Sequence, residues 1–135
     1  MMGNYNLWAI LVATVASQVI GAAWYSPRLL GKAWMQEVGL TEEQIRANPT
    51  KRPFVVAILS ALVLAAGLAW VNKVAGTHSL GYGIVVGLSV GIGVVAMAAA
   101  PHYAFSGRSL RLYLIDQAHT VLAIVVMSAI IGVWR

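Results

Sequence analysis

Asp116 and His119 stand three residues apart inside a long apolar run, with Thr120 one place further on. On a helix these three share a face. A carboxylate beside an imidazole can bind a proton, hold a cation or orient a polar solute. Burying that carboxylate in hydrocarbon costs roughly 2.5–3.5 kcal/mol at a helix centre. Asp116 must therefore face inward and take a partner. One reading is structural, an anchor to Arg28, Arg108 or Arg111. The other is a protonation or ion-binding site shared with His119. Gln18 lies near the middle of an earlier apolar run, on one helical face with Thr14, Gly21 and Tyr25. An amide there either hydrogen-bonds a neighbouring helix, at about 0.6–2 kcal/mol, or belongs to the same polar interior. His102 follows Pro101 and would sit at the depth of Asp116. His102, Asp116 and His119 are suitable ligand types but lack a recognised metal-ligand spacing, so no metal or other cofactor is expected. Ser17, Ser60, Ser89 and Ser128 are scattered through the apolar runs, where hydroxyls commonly bond back to a helix carbonyl. No catalytic set is assigned.

The elements that position these residues are four apolar runs at about 7–25, 54–71, 80–100 and 112–134. An α-helix rises about 1.5 Å per residue, so about 20 apolar residues cross a bilayer core. The fold predicted is all-α: an integral membrane four-helix bundle forming one domain over residues 1–135. A short interfacial or surface helix is expected in the link 28–52, where Leu30, Trp34 and Val38 recur at helical spacing. Thr41 and Gln44 there form a capping-box pattern. The N-terminus carries no Lys or Arg before the first run, which therefore reads as a retained span rather than a secretory signal.

Composition agrees. Hydrophobic residues make up 60% of the chain and charged residues 10%, against about 25% charged in soluble domains. The absence of cysteine excludes disulfides, thiolate metal sites and cysteine nucleophiles. The net charge of +5 does not indicate nucleic acid, because the basic residues flank apolar runs and form no recognition module. Arg28, Lys32, Arg46, Lys51, Arg52, Arg108 and Arg111 fall in the links after runs one and three, and Lys73 and Arg135 on the other side. The positive-inside rule then makes 28–52 cytoplasmic and puts both termini outside. Trp8, Trp70, Tyr82 and Trp134 would form the outer aromatic belt, and Trp24, Tyr25, Tyr103 and Tyr113 the inner one. Gly83, Gly87 and Gly91 repeat every four residues, a helix-packing face that brings backbones together. That face could be used within the chain or against another copy.

The segment Gly21-Ala22-Ala23-Trp24-Tyr25-Ser26-Pro27, followed by Gly31-Lys32-Ala33-Trp34, resembles the opening signature of the domain of unknown function 1761 family. Gly107-Arg108-Ser109-Leu110, Leu114-Ile115-Asp116, His119 and the closing Gly132-Val133-Trp134 resemble it too. The resemblance implies a small four-span protein of the bacterial plasma (inner) membrane and implies no reaction. The function expected is binding or transport of a small solute, ion or proton by a homo-oligomer. Its polar intramembrane site would use Asp116, His119, Gln18, His102 and Tyr25, with membrane lipids as surroundings. The alternative is a structural or accessory subunit of a larger membrane complex. An enzyme acting on a lipid is the least supported reading.

Overall fold

The computed structural model describes residues 5–47 and 49–134, and no strand occurs among them. Helix α1 (Leu7–Trp24) opens on Asn6, whose side chain accepts from the Ala9 N–H at 3.1 Å. This satisfies one of the unpaired amides at a helix start. It ends before Ser26-Pro27, where proline disfavours further α conformation. The chain then reverses tightly. The Leu30 N–H donates to the Trp24 carbonyl at 3.0 Å and the Gly31 N–H to the Ser26 carbonyl at 2.9 Å. Helix α2 (Gly31–Val38) starts within that turn. A Cβ on Gly31 would collide with the Tyr25 carbonyl oxygen and come within 2.8 Å of the Ser26 carbonyl carbon. Gly31→Ala is therefore expected to lower stability by about 2 kcal/mol, since backbone must move to make room. Thermal unfolding in detergent would show it, and an unchanged midpoint would mean the turn opens without cost.

Helix α3 (Glu42–Ala47) carries the capping box that the spacing predicts. The Thr41 N–H donates to Gln44 Oε1 at 2.9 Å, and the Gln44 N–H to Thr41 Oγ1 at 3.1 Å. Helix α4 (Arg52–Val74) has Pro53 in its first turn, where the missing N–H is no loss. The third long helix is continuous from Leu80 to Phe105. It comprises α5 (Leu80–Leu88), a π-helical segment (Ser89–Ala96) and α6 (Met97–Phe105). The sequence suggests that this run stops at Pro101. The helix instead passes through Pro101, and the π turns just upstream are the kind of local adjustment that accommodates a proline in a long apolar helix. Gly107 (φ 71°) then reverses the chain. Ser109 caps α7 (Leu110–Val133) by accepting from the Leu112 N–H at 3.0 Å.

Four helices are long and apolar enough to cross a membrane: Leu7–Trp24, Arg52–Val74, Leu80–Phe105 and Leu110–Val133. The most buried of them is α7, which packs against α1, α4 and α5. The core joins Ala9, Ile10 and Ala13 of α1, Ala65, Leu68 and Ala69 of α4, and Ile124, Met127 and Ile131 of α7. Outward positions such as Val15, Val19, Leu59, Val63, Val85 and Leu114 are exposed and apolar, a surface suited to lipid rather than water.

Close approach comes from small residues. A Cβ on Gly83 would lie 2.9 Å from the Ser128 carbonyl oxygen, on Gly87 2.7 Å from Val125 Cα, and on Gly91 3.3 Å from Val121 Cα. The whole glycine ladder thus faces α7 of its own chain. Ala9, Ala13 and Ser17 on α1, and Ala61, Ala65 and Ala69 on α4, are buried at the same four-residue spacing. They supply the same kind of thin face.

The termini of the bundle differ. At one end the Asn6 amide donates to the Trp134 carbonyl at 3.1 Å, bringing the start of α1 against the end of α7. Trp8, Trp70, Tyr82 and Trp134 stand exposed around that end. At the other end Trp24, Tyr25, Tyr103 and Tyr113 do not form the outward belt that the sequence suggests. Their polar tips are turned inward onto α7 and the π segment. The reason is that α7 offers a carboxylate and α7 and the π segment offer carbonyls within their reach.

Candidate functional site

The inward-turned aromatics converge on Asp116. The Tyr25 hydroxyl, just past the end of α1, donates to Asp116 Oδ1 at 2.8 Å. The Tyr103 hydroxyl, from α6, donates to Oδ2 at 2.7 Å. Each carboxylate oxygen therefore holds one phenol, and one acid ties three helices together. Both distances are ordinary for O–H···O hydrogen bonds. The Arg anchor considered from the sequence is not the arrangement found. Arg111 instead pairs with Glu37 of α2 at 3.7 Å, and Arg108 lies over the Tyr103 ring at 5.2 Å. Neither ion pair found among the described residues includes Asp116.

His119 lies one turn further along α7. Its ring is 5.1 Å from the Tyr25 ring and 6.3 Å from that of Trp24. Its Nε2 is buried and has no hydrogen-bond partner among the described residues. A Cβ on Gly21 would lie 3.4 Å from that nitrogen, at ordinary contact distance, so the first span passes directly beside the imidazole. Trp24 donates its indole N–H to the Ile115 carbonyl at 3.0 Å, and Trp34 of α2 meets Tyr25 edge-on at 6.1 Å. The Tyr113 hydroxyl donates to the Ala96 carbonyl at 2.7 Å. That fixes α7 to the end of the π segment. Thr120 donates back to the Asp116 carbonyl at 3.0 Å.

Of the residues singled out from the sequence, Asp116, His119 and Tyr25 come together. Gln18 does not join them: its amide reaches the Ala57 carbonyl of α4 at 3.4 Å and Ser17 Oγ at 3.3 Å. His102 is exposed on α6, and its carbonyl accepts from the Ser106 hydroxyl at 2.7 Å. His102 and Tyr103 are consecutive on the helix and so point about 100° apart, and it is Tyr103 that reaches the acid. Tyr103 and Trp24 are the site residues that sequence reasoning placed in a belt. The signal available was a buried acid and two phenols expected at the same depth. No group of three or more His, Cys, Asp or Glu suited to a metal occurs among the described residues.

Chemically the site holds an acid between two hydroxyls that can each donate or accept, with an imidazole nitrogen that has no partner among the described residues one turn away.

Fold and site together define an all-α protein with four helices of membrane-spanning length, clamped at one end by an acid between two phenols. The chain belongs to the family described as protein of unknown function (DUF1761), which matches residues 8–132. No curated protein and no solved structure matches the chain. The residues that carry the family resemblance from opposite ends of the sequence meet in this site. Gly21, Trp24 and Tyr25 lie against Asp116 or His119, and Trp34 packs edge-on against Tyr25, with Gly31 in the turn between them.

Proposed function

We propose that this chain is a small multi-pass membrane protein whose Asp116–His119 site binds a proton and couples its occupancy to the packing of the third span. The observation that carries this reading is the clamp itself. A carboxylate in a membrane helix is bound by phenols from two other helices rather than neutralised by an arginine. Phenols bind the charged acid well and the neutral acid less well, so the clamp responds to protonation. A salt bridge would instead have fixed the charge. The π segment lies in the same span as Tyr103, and π turns inside helices are frequent at functional positions. Such a device suits a proton-linked transport or sensing role. Under the positive-inside rule the site faces the cytoplasm and both termini lie outside.

A purely structural role for the chain, as an accessory subunit or a homo-oligomer, would have to use another surface than Gly83, Gly87 and Gly91, which are engaged with α7.

The test is proton flux into proteoliposomes carrying a pH-sensitive dye and an imposed potential. Wild-type vesicles are expected to acidify faster than protein-free ones, and Asp116→Asn to remove the difference. No flux above background, for protons or for a broad panel of small solutes under a proton gradient, would contradict the transport reading.

A further inference from the structure

The third span and α7 leave a long open groove of about 530 Å³ between them. Leu88, Ile92 and Met97 line one side, and Leu114, Ala118 and Leu122 the other. All six are exposed, so the groove opens sideways, towards lipid. Its wall is apolar except for Tyr113 and Gln117, both towards the Asp116 end. It follows α7 from Tyr113 to Val125, a rise of about 18 Å. Half of a bilayer's hydrocarbon core is about 15 Å. The groove therefore runs the depth of one leaflet, starting at the Asp116 end.

That end is cationic. Arg111 lies three residues before Leu114 and seven before Ala118, on the same helical face. Its side chain is 59% exposed beside Glu37, which leaves guanidinium donors open. Arg108 is exposed, lies over the Tyr103 ring and belongs to neither ion pair among the described residues. The Tyr103 ring meets that of Tyr113 edge-on at 5.4 Å, which brings Arg108 to the mouth of the groove.

We propose that this groove seats one acyl chain of an anionic phospholipid, with the lipid phosphate held by Arg108 and Arg111. Guanidinium groups match phosphate oxygens in geometry and charge. The chain enters from its own leaflet without leaving hydrocarbon. Charge argues against a second copy on this face. Two copies related by an axis along the membrane normal would meet through the same surface at the same depth. Their arginines would then oppose one another, and like charges set face to face are costly. The proposal rests on the chain spanning a membrane and not on proton binding at Asp116, so either can fail alone.

The chain has no cysteine, so a single introduced one can carry a fluorophore without background. Full-length protein with a labelled Met97→Cys, at the groove's edge, is reconstituted into phosphatidylcholine vesicles. Spin-labelled chains then quench the fluorophore, carried either on phosphatidylglycerol or on phosphatidylcholine. Phosphatidylglycerol should half-saturate quenching at a mole fraction at least threefold lower. Arg108→Gln with Arg111→Gln should abolish that preference. So should Ala118→Phe, which fills the groove from an exposed position and leaves both arginines in place. A labelled Val63→Cys, on the exposed side of α4, should show no preference. Equal quenching by the two lipids at Met97→Cys would overturn the proposal. So would a preference that is as strong at Val63→Cys, or one that survives either the loss of both arginines or Ala118→Phe.

Discussion

Tyr25→Phe combined with Tyr103→Phe is expected to destabilise the protein by more than the two single changes added together. Each single variant leaves Asp116 one phenol, and should cost about 0.5–1.5 kcal/mol, the usual range for one hydrogen bond. The double variant leaves a partly buried carboxylate with neither, and removing the last partner of a buried charge is the expensive step. A combined loss of about 3–4 kcal/mol is expected. Adding Asp116→Asn to the double variant should recover part of it, because the amide carries no charge to strand. Thermal unfolding of the wild type and these four variants in one detergent would decide this. Strictly additive single effects, or no recovery with asparagine, would mean that the acid draws its solvation from elsewhere.

The second large effect concerns helix contact. Gly87→Ala puts a methyl 2.7 Å from Val125 Cα, 3.1 Å from Ser128 Cβ and 3.3 Å from the Ile124 carbonyl oxygen. The neighbours are mostly backbone, so α5 must move off α7 along their whole contact. The expected loss is about 3 kcal/mol, the upper end for overpacking. Gly67→Ala in α4 is the control. Nothing lies within 4 Å of a Cβ there, and alanine should stabilise the helix by about 0.5–1 kcal/mol. Opposite signs at two glycines in spanning helices would show that contact, not composition, sets their role. A mild effect at Gly87 would mean that α5 and α7 are further apart than described.

Much of the fold is legible in the sequence because lipid imposes a length. The apolar runs locate all four long helices, and only their ends move. Leu7–Trp24 and Leu110–Val133 differ from the expected spans by one or two residues, as frayed ends do. The third span differs more. A proline normally reads as a stop, and neither the continuation of the helix through Pro101 nor the π turns upstream of it leave a mark in residue periodicity. The glycine ladder is visible at its four-residue spacing, but its partner is not. A thin face fits another thin face in the same chain as well as one in a second copy. The alanine ladders of α1 and α4 are harder still to see, because alanine also fills ordinary helix positions.

The site is legible in part. Charge alone marks Asp116, since hydrocarbon tolerates few carboxylates. Charge alone also misdirects the search for its partner towards arginine. Arg108 and Arg111 lie in the link or the first turn of α7 and reach outward, onto the Tyr103 ring and Glu37. The phenols reach inward from helix ends where aromatics are expected to face lipid. His119 and Tyr25 were visible as polar residues on helical faces. That Gln18 and His102 face elsewhere depends on the rotation of α1 and α6 about their axes, and rotation is set by packing that no spacing rule supplies.

Asp116 is the only aspartate in the chain, so labelling aspartate alone with carbon-13 gives one carboxyl resonance and needs no further assignment. In liposome-reconstituted protein that resonance should move when Tyr25 is replaced by phenylalanine, move again when Tyr103 is replaced, and stay fixed for Trp8→Phe at the far end of α1. A carboxyl signal indifferent to both tyrosines would show that the acid is held by something other than the phenols of α1 and α6, and the clamp would have to be abandoned.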